Sequence, residues 1–101
     1  MGQQSLYGTR NLLGPGIAYI RAKQGLSQKD LLVRIELLGG CMAQTKLSRI
    51  ERGNTILQDY DLIVIAAALR VSLDEIYRAV EAKKSQQYRQ SNTVQARKTQ
   101  T

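Results

Sequence analysis

The sequence of 101 residues contains no histidine, tryptophan or phenylalanine, and it has only one cysteine and one proline. Without histidine, and with a single cysteine, the usual zinc ligand sets, a Ser-His pair and a Cys-His pair are excluded. The carboxylates, lysines and serines form no cluster with nucleophile and base roles, so we expect no enzymatic activity, no metal and no cofactor. Cys41 has no partner for an internal disulfide, which fits a reducing compartment.

Long hydrophobic runs are also absent. No apolar run reaches the roughly 18–20 residues that a membrane-spanning helix requires, and no signal peptide is recognisable. We therefore expect a cytoplasmic protein without a membrane partner. The length suits one small domain with tails, and its core must be built from Leu, Ile, Val, Ala and some Tyr.

Positive charge is in excess, with a formal net charge of +7. Such a charge favours an acidic partner, and nucleic acid is the first candidate. The excess lies mostly at the C-terminus, because residues 78–101 hold six basic and one acidic residue, against nine and seven in residues 1–77. The basic residues of this tail either bind phosphates or only keep the protein soluble. They are Lys83, Lys84, Arg89, Arg97 and Lys98.

Five short helices are predicted from the spacing of apolar residues and from residues that favour helix ends, and no segment has the alternation of a strand. Gly25 marks the end of the first helix, and Ser27 is the expected cap of the second, with Asp30 in its first turn. A Ser-x-x-Glu capping box over residues 72–75 opens the fifth helix. The predicted ranges are about 15–24, 27–38, 42–52, 59–69 and 72–84.

The helices divide the chain into three parts. We expect an N-terminal arm over residues 1–13, a helical domain over residues 14–84, and a basic, polar, flexible tail over residues 85–101. Two sets of residues are predicted to face the core, one on the second helix and one on the fourth. They are Leu31, Ile35 and Leu38, and Leu62, Ile63, Ile65, Ala66 and Leu69.

The segment QTKLSRIERG, residues 44–53, places two apolar residues in a polar and basic setting. On a helix, Leu47 and Ile50 share one face and can anchor the segment to a core, while the polar residues lie around the other face. A helix held in this way can present side chains to base edges in the major groove of DNA. An ordinary solvated surface helix has the same pattern, so the segment alone does not decide its role.

Three separated motifs make the chain resemble the phage-repressor and Cro-like (XRE-type) family of helix-turn-helix transcriptional regulators. They are GLSQ, SRIERG and LxVSLDE, and the resemblance spans about residues 14–77. It implies an all-α, compact five-helix bundle of the lambda-repressor-like type. It also implies a sequence-specific regulator, expected to be a repressor, that binds double-stranded DNA as a homodimer on a two-fold site.

The resemblance also implies roles for individual residues. The implied base contacts are Gln44, Thr45, Ser48 and Arg49. The implied DNA backbone contacts are Gln28, Lys46, Arg52 and Asn54. Gln28 would in addition brace the recognition helix, and Arg21 and Glu51 would form a structural ion pair between the first and third helices.

Two features depart from the family pattern. An extended segment of about five extra residues, roughly 1.4 helical turns, lies between the second and third helices. It either lengthens the second helix through Leu38 or enlarges the loop around residues 39–40. The residue before the recognition positions is Ala43, a poor cap, which leaves open an earlier helix start at Gly40 or Cys41.

The sequence also allows a second function, that of an antitoxin-like or adaptor protein whose main partner is another protein. The extended second helix, the arm with Leu6 and Tyr7, and the tail would serve it. The dimer surface is equally open. The fifth helix offers one candidate stripe, which core packing also explains, made of Leu73, Ile76, Tyr77 and Val80.

Overall fold

The computed structural model describes the backbone of residues 10–91 and the side chains of residues 10–82. This part of the chain forms five α-helices and contains no strand, which confirms the predicted all-α class. None of its helices is long and apolar enough to cross a membrane. The helices are α1 (Gly14–Lys23), α2 (Gln28–Leu37), α3 (Gln44–Glu51), α4 (Asp59–Leu69) and α5 (Leu73–Ser91).

Two capping boxes fix where helices begin. The Ser27 hydroxyl accepts from the Asp30 amide at 3.0 Å, and the Asp30 carboxylate accepts from the Ser27 amide at 2.9 Å. Ser72 and Glu75 make the same reciprocal pair at the start of α5, with distances of 3.1 and 2.7 Å. Because each box satisfies amides that have no partner inside the helix, α2 and α5 begin where local sequence chemistry places them.

The core lies where all five helices meet. Its fully buried side chains come from every helix, and α1 packs mainly against α5 and α3 while α2 packs against α4 and α3. These side chains are Ile17, Leu31, Ile35, Leu47, Ile50, Ile65, Leu69 and Ile76. Both predicted anchors of the third helix are among them, so α3 is attached to the domain through its apolar side.

Several predicted core residues lie instead at the surface. Ile63 is 60% exposed, because it projects from α4 on the side opposite Asp61 and Ile65. Leu38 follows the last residue of α2 and is also exposed. On α5, Leu73 is exposed, so the predicted apolar stripe is only partly buried.

The C-terminal helix is longer than predicted. Helix α5 continues to Ser91, beyond the expected end near residue 84. Residues 81–91 contain no glycine or proline and several strong helix formers, so nothing in the local sequence stops the helix. Residues 1–9 of the predicted arm and 92–101 of the predicted tail lie outside the described residues, and the proposed limits of the three parts stay predictions.

Candidate nucleic-acid interface

Helix α3 is shorter than predicted and begins later. Ala43 has extended backbone angles and is the residue before the helix, and its side chain makes no capping hydrogen bond. The helix therefore begins at Gln44 rather than at residue 42, and the earlier start considered at Gly40 or Cys41 is wrong. It ends at Glu51, with Gly53 at a φ of 76° in the turn that follows.

The extra residues before α3 enlarge the connection rather than the helix. Helix α2 stops at Leu37, and the Gly40 amide closes its end by donating to the Ile35 carbonyl at 3.0 Å. Gly39 has a φ of 92°, a backbone region in which glycine is favoured. Residues 38–43 then carry the chain to the start of α3.

The outer side of α3 displays the residues expected to contact bases. Leu47 and Ile50 are fully buried, and the helical period leaves Gln44, Thr45 and Arg49 exposed. Ser48 is partly exposed. Arg52 is exposed and its Nη1 donates to the Ser48 hydroxyl at 2.9 Å, so these two side chains are held together. Asn54, in the turn after α3, is exposed as well.

A buried carboxylate ties α3 to the two preceding helices. Arg21 of α1 donates from Nε to Glu51 Oε2 at 2.7 Å and from Nη2 to Oε1 at 2.9 Å. Gln28 of α2 donates to the same Oε1 at 2.9 Å. The remaining Arg21 nitrogen, Nη1, donates to the Leu26 carbonyl at 2.6 Å. The bidentate pair and the amide of Gln28 fix the end of α3 relative to α1 and α2.

Lys46 points away from the outer side of α3 and towards α4. Its Nζ lies 2.8 Å from Oδ2 of Asp61, a carboxylate that is 5% exposed. The hydrogen bond to Asp61 raises the pKa of Lys46 above its ordinary value. The ammonium expected to contact the DNA backbone is therefore engaged within the domain. Sequence reasoning missed Asp61, although its spacing from Ile65 and Leu69 puts it on the buried side of α4.

Asn11 is a second residue that sequence reasoning missed. Its Nδ2 donates to the Ile50 carbonyl at 3.2 Å and to the Thr55 carbonyl at 2.8 Å. Its Oδ1 accepts from the Gly14 amide at the start of α1. Gly14 lies so close to α3 that an added Cβ would be 1.7 Å from the Ile50 carbonyl oxygen. The last residues of the predicted arm are thus part of the domain, and they support the C-terminal end of α3.

The charge distribution makes the outer side of α3 basic. Glu51 and Asp61, the carboxylates nearest its inner side, are buried and paired. Arg49 and Arg52 are exposed, and neither has an ion-pair partner among the described residues. Hydrogen-bonding side chains and uncompensated positive charge therefore occupy the same side of one helix.

This geometry agrees with the comparison against protein families. Residues 17–76 match a family model described as helix-turn-helix, HTH_3, and the match covers α1 to the start of α5. The search of curated proteins and the search of solved structures each give no match. The matched region contains every residue of the outer side of α3 and the network around Glu51.

Proposed function

Because this chain belongs to the XRE-type, Cro/C1-like helix-turn-helix family HTH_3, whose domain is that of a DNA-binding regulator, we propose that it represses transcription by reading the major groove with α3. The exposed, basic outer side of α3 on a helix anchored from behind is the observation that carries this proposal. A major groove admits one α-helix, and its base edges present donors and acceptors that side chains of this kind can distinguish.

Four side chains of α3 read bases in this proposal. Gln44 can pair in two places with adenine, Arg49 can do so with guanine, and Thr45 offers a hydroxyl and a methyl group. Ser48 contributes a hydroxyl that Arg52 already holds in place at 2.9 Å. Each good contact with a base would account for about 1–3 kcal/mol of discrimination.

The DNA backbone contacts come from the edges of the same surface. Arg52 and Asn54 lie at the end of α3, where an exposed cation and an amide can meet phosphates. Gln28 uses one amide hydrogen on Glu51 and stays partly exposed, so it can brace α3 and also face the backbone. Lys46 makes the weakest case of the predicted backbone contacts, because its ammonium is engaged by Asp61.

Two copies would bind a two-fold site. Two-fold symmetry would place two α3 helices in successive major grooves, about 34–36 Å apart along the DNA. The antitoxin-like or adaptor role remains a separate prediction, and it would require a stoichiometric protein partner.

The decisive experiment is a selection of bound DNA from random oligonucleotides with the full chain. We expect an enriched sequence with two related half-sites. Gln44→Ala and Thr45→Ala should each weaken binding to that sequence by about 1–3 kcal/mol while weak nonspecific binding remains. If the two variants discriminate as well as the parent, α3 does not read bases.

The positive charge of the surface has its own test. Arg52→Ala should flatten the dependence of binding on salt concentration, because the lost phosphate contact reduces counterion release. Lys23→Ala is a matched control, since Lys23 is an exposed cation on α1 in the groove beside α5. Equal salt dependence in the parent and both variants would show that Arg52 does not contact a phosphate.

A further inference from the structure

Helix α4 presents an exposed apolar surface that the domain itself does not cover. Tyr60 is 62% exposed and Ile63 is 60% exposed, and Ala67 is exposed one turn further along the same side. We call these three residues the α4 strip. An exposed apolar surface that continues over several residues is typical of an interaction site.

The end of α2 carries further exposed apolar side chains. Leu37 is 81% exposed and Leu38 is exposed beside it. The connection after α2 approaches α4 at Gly40, where an added Cβ would lie 3.3 Å from Cγ2 of Val64. Arg34 Nη1 also donates to the Ala68 carbonyl at 3.1 Å. Two exposed leucines therefore stand where α2 ends, next to a connection that contacts α4.

The α4 strip is separate from the outer side of α3. On α4, Asp61 points towards α3 and binds Lys46. Ile63 is two residues away, which is a rotation of about 160° around the helix. A partner on the α4 strip would therefore leave the proposed DNA-reading side chains free.

The charges at the two ends of the strip are complementary to each other. Asp59 begins α4 and Arg70 follows its last residue, and both are exposed. Their Cα atoms lie about 16 Å apart on the same side of the helix, and Arg70 has left-handed backbone angles. Neither has an ion-pair partner among the described residues. A helix side that is acidic at one end, apolar in the middle and basic at the other matches an antiparallel copy of itself.

We propose that two copies of this chain pair through the α4 strip, with their α4 helices antiparallel and Asp59 of each copy opposite Arg70 of the other. A two-fold interface joins the same patch on both subunits, so the patch must be complementary to itself. The pairing supplies the dimer of the proposed function, but it does not depend on any DNA contact.

The test measures self-association of the full chain by sedimentation equilibrium without DNA, over protein concentrations from about 1 µM to about 1 mM. We expect a monomer–dimer equilibrium. Ile63→Glu should raise the dissociation constant at least about tenfold, because it puts a charge in the centre of the interface. Leu73→Glu is the matched control, since Leu73 is 46% exposed on α5 and should leave association unchanged. Thermal melting of both variants shows whether they keep the fold.

Charge reversal gives a second, independent measurement. Asp59→Arg and Arg70→Asp should each weaken association, because each places like charges opposite one another. The double variant should restore the parent dissociation constant to within about threefold, since the opposite charges face each other again. A partner other than a second copy would not produce this rescue.

Three results would overturn the proposal: a monomer at all concentrations, dissociation by Leu73→Glu but not by Ile63→Glu, or no rescue in the double charge reversal. DNA selection with Ile63→Glu separates this proposal from the proposed function. A variant that no longer pairs should still prefer a single half-site. A dimer that selects no DNA sequence would instead refute the proposed function and leave the pairing intact.

Discussion

Replacing Glu51 by alanine tests how α3 is held. The change removes three hydrogen bonds to a buried carboxylate, two from Arg21 and one from Gln28. Hydrogen bonds to a charged group are each worth about 1.5–3 kcal/mol. The losses do not add fully, because the Arg21 side chain is 18% exposed and keeps its bond to the Leu26 carbonyl. We expect the free energy of unfolding to fall by about 3–5 kcal/mol, the usual effect of leaving one partner of a buried pair alone.

The measurement is urea unfolding followed by circular dichroism, together with a thermal scan. For a domain of this size each kcal/mol shifts Tm by about 4–8 °C, so Glu51→Ala should lower it by at least about 12 °C. Arg78→Ala is the control, because Arg78 pairs with Asp74 at 2.9 Å on the exposed side of α5. An exposed pair of this kind contributes about 0.5 kcal/mol or less.

A double-mutant cycle separates the ion pair from general damage to the fold. Arg21→Ala and Glu51→Ala should be less destabilising together than the sum of the two, with a coupling energy of at least about 1.5 kcal/mol. A loss below about 1 kcal/mol for Glu51→Ala, without coupling to Arg21, would refute the view that this pair fixes α3.

Three further predictions concern the supports of α3 and the start of α2. Lys46→Met should destabilise the domain by about 1–3 kcal/mol in urea unfolding, because the buried Asp61 loses its partner. The same variant should leave the salt dependence of DNA binding unchanged. A flatter salt dependence would mean that Lys46 contacts a phosphate. Gly14→Ala should cost about 1–3 kcal/mol through overpacking against the Ile50 carbonyl, and an unchanged Tm would contradict the close approach. The capping hydrogen bonds lower the pKa of Asp30 below its ordinary value of 3.8, so its contribution is present above pH 3.8 and is lost as the pH falls through the lowered pKa. Asp30→Asn should therefore destabilise the protein at pH 7, and the loss should shrink as the pH falls below 3.8; a loss that does not change with pH would contradict this.

Helix limits set by local chemistry were predictable from the sequence. Ser27 and Ser72 begin α2 and α5 because each hydroxyl is paired with a carboxylate three residues later. The start of α3 was not predictable in the same way. Ala43 offers no capping group, so packing of the helix rather than a local signal decides where it begins.

Burial was predictable only where polar residues mark one side of a helix. In α3 the two apolar residues stand out among polar ones, so Leu47 and Ile50 could be assigned to the core. Helix α4 reads DYDLIVIAAAL and is apolar on nearly every side after its first turn. Its periodicity therefore gave no means of separating the buried Ile65 from the exposed Ile63.

Contacts between residues far apart in the chain were the least predictable part of the candidate site. Asn11 binds carbonyls of residues 39 and 44 positions away, and nothing near it in the sequence indicates them. The sequence contains no sign that Lys46 is paired, because its partner Asp61 lies on another helix. The spacing of residues on α3 predicted which side faces outward, but not which of its charges the domain already uses.

The supports of α3 have a consequence for how this domain can vary. Its orientation is set from beneath by Leu47 and Ile50, at one end by Glu51, and sideways by Lys46. None of these restraints passes through residues 38–43. Within that stretch Gly40 and Met42 pack against the domain, whereas Leu38, Gly39 and Cys41 are exposed. Insertions at the exposed positions should therefore leave α3 in place, so natural variants with a longer loop would keep the same outer side of α3 while the surface beside it changes.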